Sequence, residues 1–180
     1  MAQTLIMIRH AEKPGGKWPG PGFTEDGEED EESLVIRGWQ RAGGLAVLFS
    51  GLGGMPRPQR VYASAIVKQD GSGSRSKRPL QTVMPLCRKL GIQPIDTYSK
   101  GEEVSLASEI ANLDGTTLIS WQHESIPNII RELTGNLDLD WPDSRFDMIW
   151  TVSRAARSDP WTFSQSGQGI LFGDQSASAD

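Results

Sequence analysis

The chain contains only two histidines, His10 and His123, and each follows a short apolar run. His10 closes Leu5-Ile6-Met7-Ile8-Arg9-His10, and His123 comes just after Thr116-Thr117-Leu118-Ile119-Ser120-Trp121. Runs of this length, apolar and β-branched, read as buried strands of a sheet covered on both faces. Open α/β sheets place their ligands at the carboxyl ends of such strands. Arg9 beside His10, and Arg78 at the entrance of a helix, add guanidinium forks that match phosphate oxygens in pairs. Two histidines and two arginines at one edge make a phosphate site, with the His10 imidazole as the candidate nucleophile.

The elements that must position these residues follow from periodicity. Apolar residues from Leu34 to Phe49 recur at three- and four-residue steps, which predicts an amphipathic helix. Arg60-Val61-Tyr62-Ala63-Ser64 reads as a second strand. A second helix is expected from about Pro79 to Leu90, closed by Gly91, with proline in its first turn. The residue before a proline avoids the α region, so Arg78 is expected to be extended, beside the anion-favouring helix N-terminus. A brief strand is expected at 93–96, a helix at 102–113, and a helix from Ile126 with Gly135 as its stop. The last strand is read at 145–152, with Gly169-Ile170-Leu171-Phe172 as a possible added edge strand. Strands alternating with helices predict an α/β fold, a three-layer α/β/α sandwich with a mainly parallel central sheet.

At 180 residues the chain reads as a single domain, 1–180, long enough to bury a core without disulfides. The 14–32 and 65–77 segments read as surface insertions, and 154–180 as an irregular tail. One cysteine, Cys87, excludes an internal disulfide framework and fits a reducing, cytoplasmic setting. It lies on the apolar stripe of the second helix and reads as a core residue. No run reaches the length of a membrane helix, so no membrane partner is expected. The formal net charge of −5 argues against a nucleic-acid binder. Seven acids crowd residues 25–32; removing them turns −5 into +2, which leaves room for a positive pocket. That acidic stretch reads as solvated and disordered.

The motifs resemble those of the histidine phosphatase superfamily, the phosphoglycerate mutase-like fold. Arg9-His10-Ala11-Glu12 is similar to its Arg-His-Gly/Ala-Glu signature. Leu34, Gly38, Arg41 and Ala42 follow its first-helix pattern. Ala63-Ser64 and Arg78-Pro79-Leu80-Gln81-Thr82 look like its second-strand ending and second-helix start, and His123 matches its second histidine. Two features depart from the pattern: the ten or so residues inserted before Arg78, and Glu124 where many intracellular members carry glycine.

The resemblance implies a metal-independent, cofactor-free phosphomonoester hydrolase acting through a phosphohistidine on His10. Arg9, Arg78 and His123 would bind the phosphoryl oxygens, and a carboxylic acid would protonate the departing oxygen. Glu102 and Glu103, placed as in the mutase branch, and Glu124, beside His123, are equal candidates for that acid. Glu12 is expected to orient the loop or an arginine. Lys13 reads as a solvated lysine, while Trp18 and Trp121 flank the expected site. The substrate would be a phosphorylated small molecule or a phosphoprotein. The alternatives are a phosphomutase, a non-catalytic module for phosphorylated ligands, and a metal site built from His10, Glu12, His123 and Glu124.

Overall fold

The computed structural model describes residues 1–135 and 138–175. One five-stranded sheet runs through the molecule in the order β2-β3-β1-β4-β5. Its strands are β1 (Gln3–Arg9), β2 (Arg60–Ala63), β3 (Gly115–Trp121), β4 (Met148–Arg154) and β5 (Thr162–Gly167). Among the described residues four helices accompany it: α1 (Ile36–Leu48), α2 (Arg78–Leu90), α3 (Glu103–Ile110) and α4 (Ile126–Thr134).

Alternation along β1 divides the core in two. Leu5 and Met7 pack with Ile110 of α3 and Ile129 and Ile130 of α4. Ile6 and Ile8 pack with Leu45 of α1 and Val83 and Leu86 of α2. Successive strand residues point to opposite faces, so a β1 buried from Leu5 to Arg9 requires helices on both. Cys87, 1% exposed, belongs to the α1/α2 side of the core, as expected.

The sheet is mixed rather than mainly parallel. β1–β3 and β2–β3 are parallel, whereas β1–β4 and β4–β5 are antiparallel. The apolar run ending at Val152 marks a buried strand but carries no sign of direction, and an antiparallel edge on a parallel sheet is common. Residues 93–96 form no strand. They contribute a single bridge, Tyr62 to Ile95. The added edge strand is Thr162–Gly167, earlier in the chain than the 169–172 expected. The 154–180 segment is therefore not irregular throughout, although residues 176–180 lie outside the described residues.

Two further expectations are corrected. Arg78 is the first helical residue of α2, not extended. The turn it opens is closed by Gln81 N–H donating to the Lys77 carbonyl at 3.0 Å and by the Thr82 hydroxyl donating to the Arg78 carbonyl at 2.7 Å. The acidic 25–32 stretch is ordered. Asp30 pairs with Lys77, Glu32 with Arg78 and Glu25 with Arg88, while Phe23 bridges Glu29 and Leu34 through the backbone. Charge density in the sequence ignores the cationic face that α2 presents to these acids.

Candidate active site

Parallel registration sets up the site. Arg9 pairs with Trp121 across β1 and β3, so both strands stop together and release His10 and His123 at one edge. The His10 backbone N–H still donates to the Trp121 carbonyl at 3.0 Å, which continues the ladder one residue beyond the strand.

His10 is 5% exposed. Its Nδ1 lies 2.7 Å from the Ala11 carbonyl oxygen, an acceptor only. The proton must therefore sit on Nδ1, leaving the Nε2 lone pair free. Burial, together with the positive charges of Arg9, Arg78 and Lys13, lowers the His10 pKa to about 3. The ring is a neutral imidazole at any physiological pH.

The residues following His10 are fixed by two helices. The Ala11 N–H donates to the Thr82 hydroxyl of α2 at 2.8 Å. The Glu12 carbonyl accepts the Val35 N–H at the start of α1, and its carboxylate takes three hydrogen bonds from Arg41. Gly38 permits this packing, because a Cβ there would lie 2.6 Å from the Glu12 carbonyl oxygen. Glu12 is 1% exposed and orients an arginine, as the sequence suggested. Gln81 accepts the Leu34 N–H at 3.0 Å and donates to the Ser33 hydroxyl. The motif residues Leu34, Gly38, Arg41, Gln81 and Thr82 thus form the frame around His10.

Arg9 is 2% exposed, and burial lowers its pKa to about 10, still cationic. Its guanidinium lies 3.7 Å above the Phe146 ring and donates to the Asp143 and Arg145 carbonyls. Arg78 donates to the Glu31 carbonyl and the Glu32 carboxylate. The Nε–H of each arginine is buried with no acceptor. A buried donor without a partner is costly, and an anion between the two would supply acceptors.

His123 is held on two sides. Its Nε2 is 2.7 Å from the Asp143 carboxylate, and its Nδ1 is 3.0 Å from Glu124 Oε2. The Nδ1 contact is not aligned as a hydrogen bond. Glu124 also pairs with Lys100 at 2.6 Å, and these contacts hold its carboxyl well below the usual range.

Arg9 and His123 border a cavity of about 490 Å³. His10, Arg78 and the expected acids Glu102, Glu103 and Glu124 are not among its lining residues. Glu102 accepts from the Ser99 N–H and hydroxyl, and Glu103 accepts from the Trp121 indole and the Gly101 N–H. The structure does not bring either to the cavity. Trp121 is fully buried and does not line it, whereas Trp18 does. The sequence reading missed Asp143, Phe146 and Arg37, which also border the cavity. Asp143 sits in a polar connection with no periodic signal, and Phe146 falls inside the strand expected at 145–152, which starts only at Met148. Among the described residues there is no cluster of three or more His, Cys, Asp or Glu able to hold a metal.

No family model matches the chain, and no curated protein sequence matches it. Solved structures do. The protein histidine phosphatase SixA, complexed with tungstate, superposes with a TM-score of 0.59 at 15% identity, covering 92% of this chain and 97% of that one. A mycobacterial glucosyl-3-phosphoglycerate phosphatase gives 0.54 at 13% identity, covering 91% and 97%. A phosphoserine phosphatase from Entamoeba histolytica, in complex with phosphoserine, gives 0.52 at 13% identity, covering 93% and 98%. The mixed sheet with paired helices on each face is thus the fold that these solved structures share.

Proposed function

We propose that the protein is a phosphomonoester hydrolase that works through a phosphohistidine on His10. One observation carries this reading: a buried, neutral His10 whose Nδ1 is committed to the Ala11 carbonyl, in the field of Arg9 and Arg78. A structural histidine needs no such field, whereas a nucleophile attacking an anion does. Solved structures of the same fold include enzymes named as phosphatases, which supports the class.

In the proposed reaction His10 Nε2 attacks phosphorus in line and the P–O ester bond breaks. The free Nε–H groups of Arg9 and Arg78 and the His123 ring take the equatorial oxygens. A carboxylic acid gives its proton to the departing oxygen. Water then attacks the phosphohistidine, the same carboxylate accepts the water proton, and the P–N bond breaks to release phosphate. Asp143, which lines the cavity, and Glu124 flank His123 and are the candidates for that acid ahead of Glu102 and Glu103. The protein's own acceptors occupy the phosphate donors: the Asp143 and Arg145 carbonyls on Arg9, and the Asp143 carboxylate on His123. Substrate entry displaces the 143–146 segment.

Rapid acid-free quenching during p-nitrophenyl phosphate turnover, with mass spectrometry of the digested protein, tests the reading. The expected result is an acid-labile, base-stable phosphate on His10. Phosphate trapped on a serine, or found elsewhere in His10→Ala, overturns it.

A further inference from the structure

The buried polar atoms left without a partner among the described residues are of two kinds. Arg9 Nε and Arg78 Nε are donors that a phosphoryl group would fill, whereas Gln122 Oε1 can only accept. Gln122 is 5% exposed and immediately precedes His123. The other end of its amide is held, because Nε2 donates to the Ser64 hydroxyl at 3.1 Å. The amide is pinned at its nitrogen and free at its oxygen, in an interior where an unmet acceptor is costly.

The sheet places that oxygen beside the nucleophile. Arg9 and Trp121 are register partners, and the His10 N–H bonds to the carbonyl of the peptide that joins Trp121 to Gln122. His10 and Gln122 are the next pair across β1 and β3, whose backbones run roughly 5 Å apart. Alternation carries both side chains to one face. Ile8 packs on the α1/α2 side and the Ser120 hydroxyl donates to the Pro79 carbonyl of α2, whereas Trp121 packs on the α3/α4 side. Two residues beyond Ile8 and Ser120, His10 and Gln122 return to the α2 side, where Arg78 opens the helix. The bond to Ser64, which follows β2 on the far side of β3, fixes the Gln122 amide there.

A phosphate ester dianion carries only acceptors, so it cannot satisfy Gln122 Oε1. A water molecule can. We propose that Gln122 is the water-positioning residue for the second half of the reaction, its Oε1 accepting one proton of the water that attacks the phosphohistidine on His10. This goes beyond the hydrolase reading and rests on it. In that step the water oxygen bonds to phosphorus while the P–N bond breaks, and the electron pair of that bond returns to His10 Nε2. One water proton passes to the carboxylate that served as the acid. The other stays on the new phosphate hydroxyl and is the one Gln122 holds. A water held in this way has its lone pair aimed at phosphorus, as when a glutamine orients the attacking water in other phosphoryl-transfer enzymes. The first half of the reaction uses no water, so its rate does not depend on Gln122 Oε1.

Single-turnover quench flow of the full chain with p-nitrophenyl phosphate, enzyme in excess, gives each half its own rate constant. Nitrophenolate release reports phosphorylation of His10, and inorganic phosphate release reports hydrolysis of the phosphohistidine. In Gln122→Met the second constant is expected to fall roughly 10- to 100-fold while the first changes by less than about threefold. Phosphate then accumulates on His10. Gln122→Glu keeps an acceptor and should hydrolyse its phosphoenzyme faster than Gln122→Met, even where its charge slows phosphorylation. If Gln122→Met does not fold, Gln122→Asn, which draws the amide back by one methylene, carries the same expectation. Proportional slowing of both halves would make Gln122 a structural pin for Ser64, and unchanged phosphate release would leave its oxygen without a role. Either result overturns the inference and spares the hydrolase reading. Nitrophenolate release with no phosphate on His10 in any of these proteins overturns the hydrolase reading, and the inference with it.

Discussion

The two histidines sit at the ends of adjacent parallel strands yet are held in opposite ways. His10 is 5% exposed and its ring is fixed by the carbonyl of its own neighbour, with α1 and α2 clamping Ala11 and Glu12 behind it. His123 is held by Asp143 and Glu124, whose side chains are 95% and 45% exposed. One ring has a single tautomer imposed by backbone; the other is held by carboxylates in contact with solvent. A nucleophile needs the first arrangement, because its lone pair must be aimed before substrate arrives. A group that binds an incoming anion is served by the second, since its partners can step aside.

The sharpest way to break this contrast is to remove each side. His10→Ala should lower kcat by roughly 10⁴- to 10⁶-fold, the scale for loss of a nucleophile. Asp143→Asn and Glu124→Gln should be milder, roughly 10²- to 10³-fold with an alkyl phosphate for whichever is the acid. That loss should vanish with p-nitrophenyl phosphate, whose leaving group needs no proton. If Asp143 only occupies the pocket, Asp143→Asn lowers KM and leaves kcat alone. The frame behind His10 gives the next effect. Gly38→Ala gains helix propensity of about 1 kcal/mol, but its Cβ would stand 2.6 Å from the Glu12 carbonyl oxygen. Overpacking of that kind costs about 1–3 kcal/mol, so a net loss is expected in chemical denaturation. An unchanged or raised midpoint would show that α1 can retreat from Glu12.

The same contrast explains what was legible in the sequence. Everything behind His10 is local pattern: an apolar run, a helix stripe carrying Gly38 and Arg41, a proline-started helix carrying Thr82. Each follows from periodicity or from a short motif whose residues contact one another. The His123 side depends on Asp143, brought in by a connection before β4 that has neither period nor motif. Strand direction was hidden for a related reason, since burial on both faces erases the alternation that distinguishes an antiparallel partner. The acidic 25–32 stretch was misread because its partners, Lys77, Arg78 and Arg88, lie some fifty residues away along the chain.

A smaller effect distinguishes the two rings through stability rather than rate. His10 is held near pKa 3 in the folded protein against about 6.5 when unfolded. Between those values the unfolded chain binds a proton that the folded one does not, so stability rises with pH there. The contribution is complete above about pH 6.5 and is lost as pH falls. Lowering the pH from 7.5 to 5.6 should therefore cost about 1 kcal/mol through this group. The carboxylates held low by their partners, Glu124 and Asp174 among them, act in a separate window, losing their contribution only below about pH 4.5. Urea melts of the wild type and of His10→Gln at the two pH values isolate the histidine. The wild type should lose about 1 kcal/mol more than the variant, whose amide does not titrate. Parallel losses would mean that the buried ring is protonated in the folded state near its ordinary pKa, and the claim that His10 waits as a neutral nucleophile would fail with it.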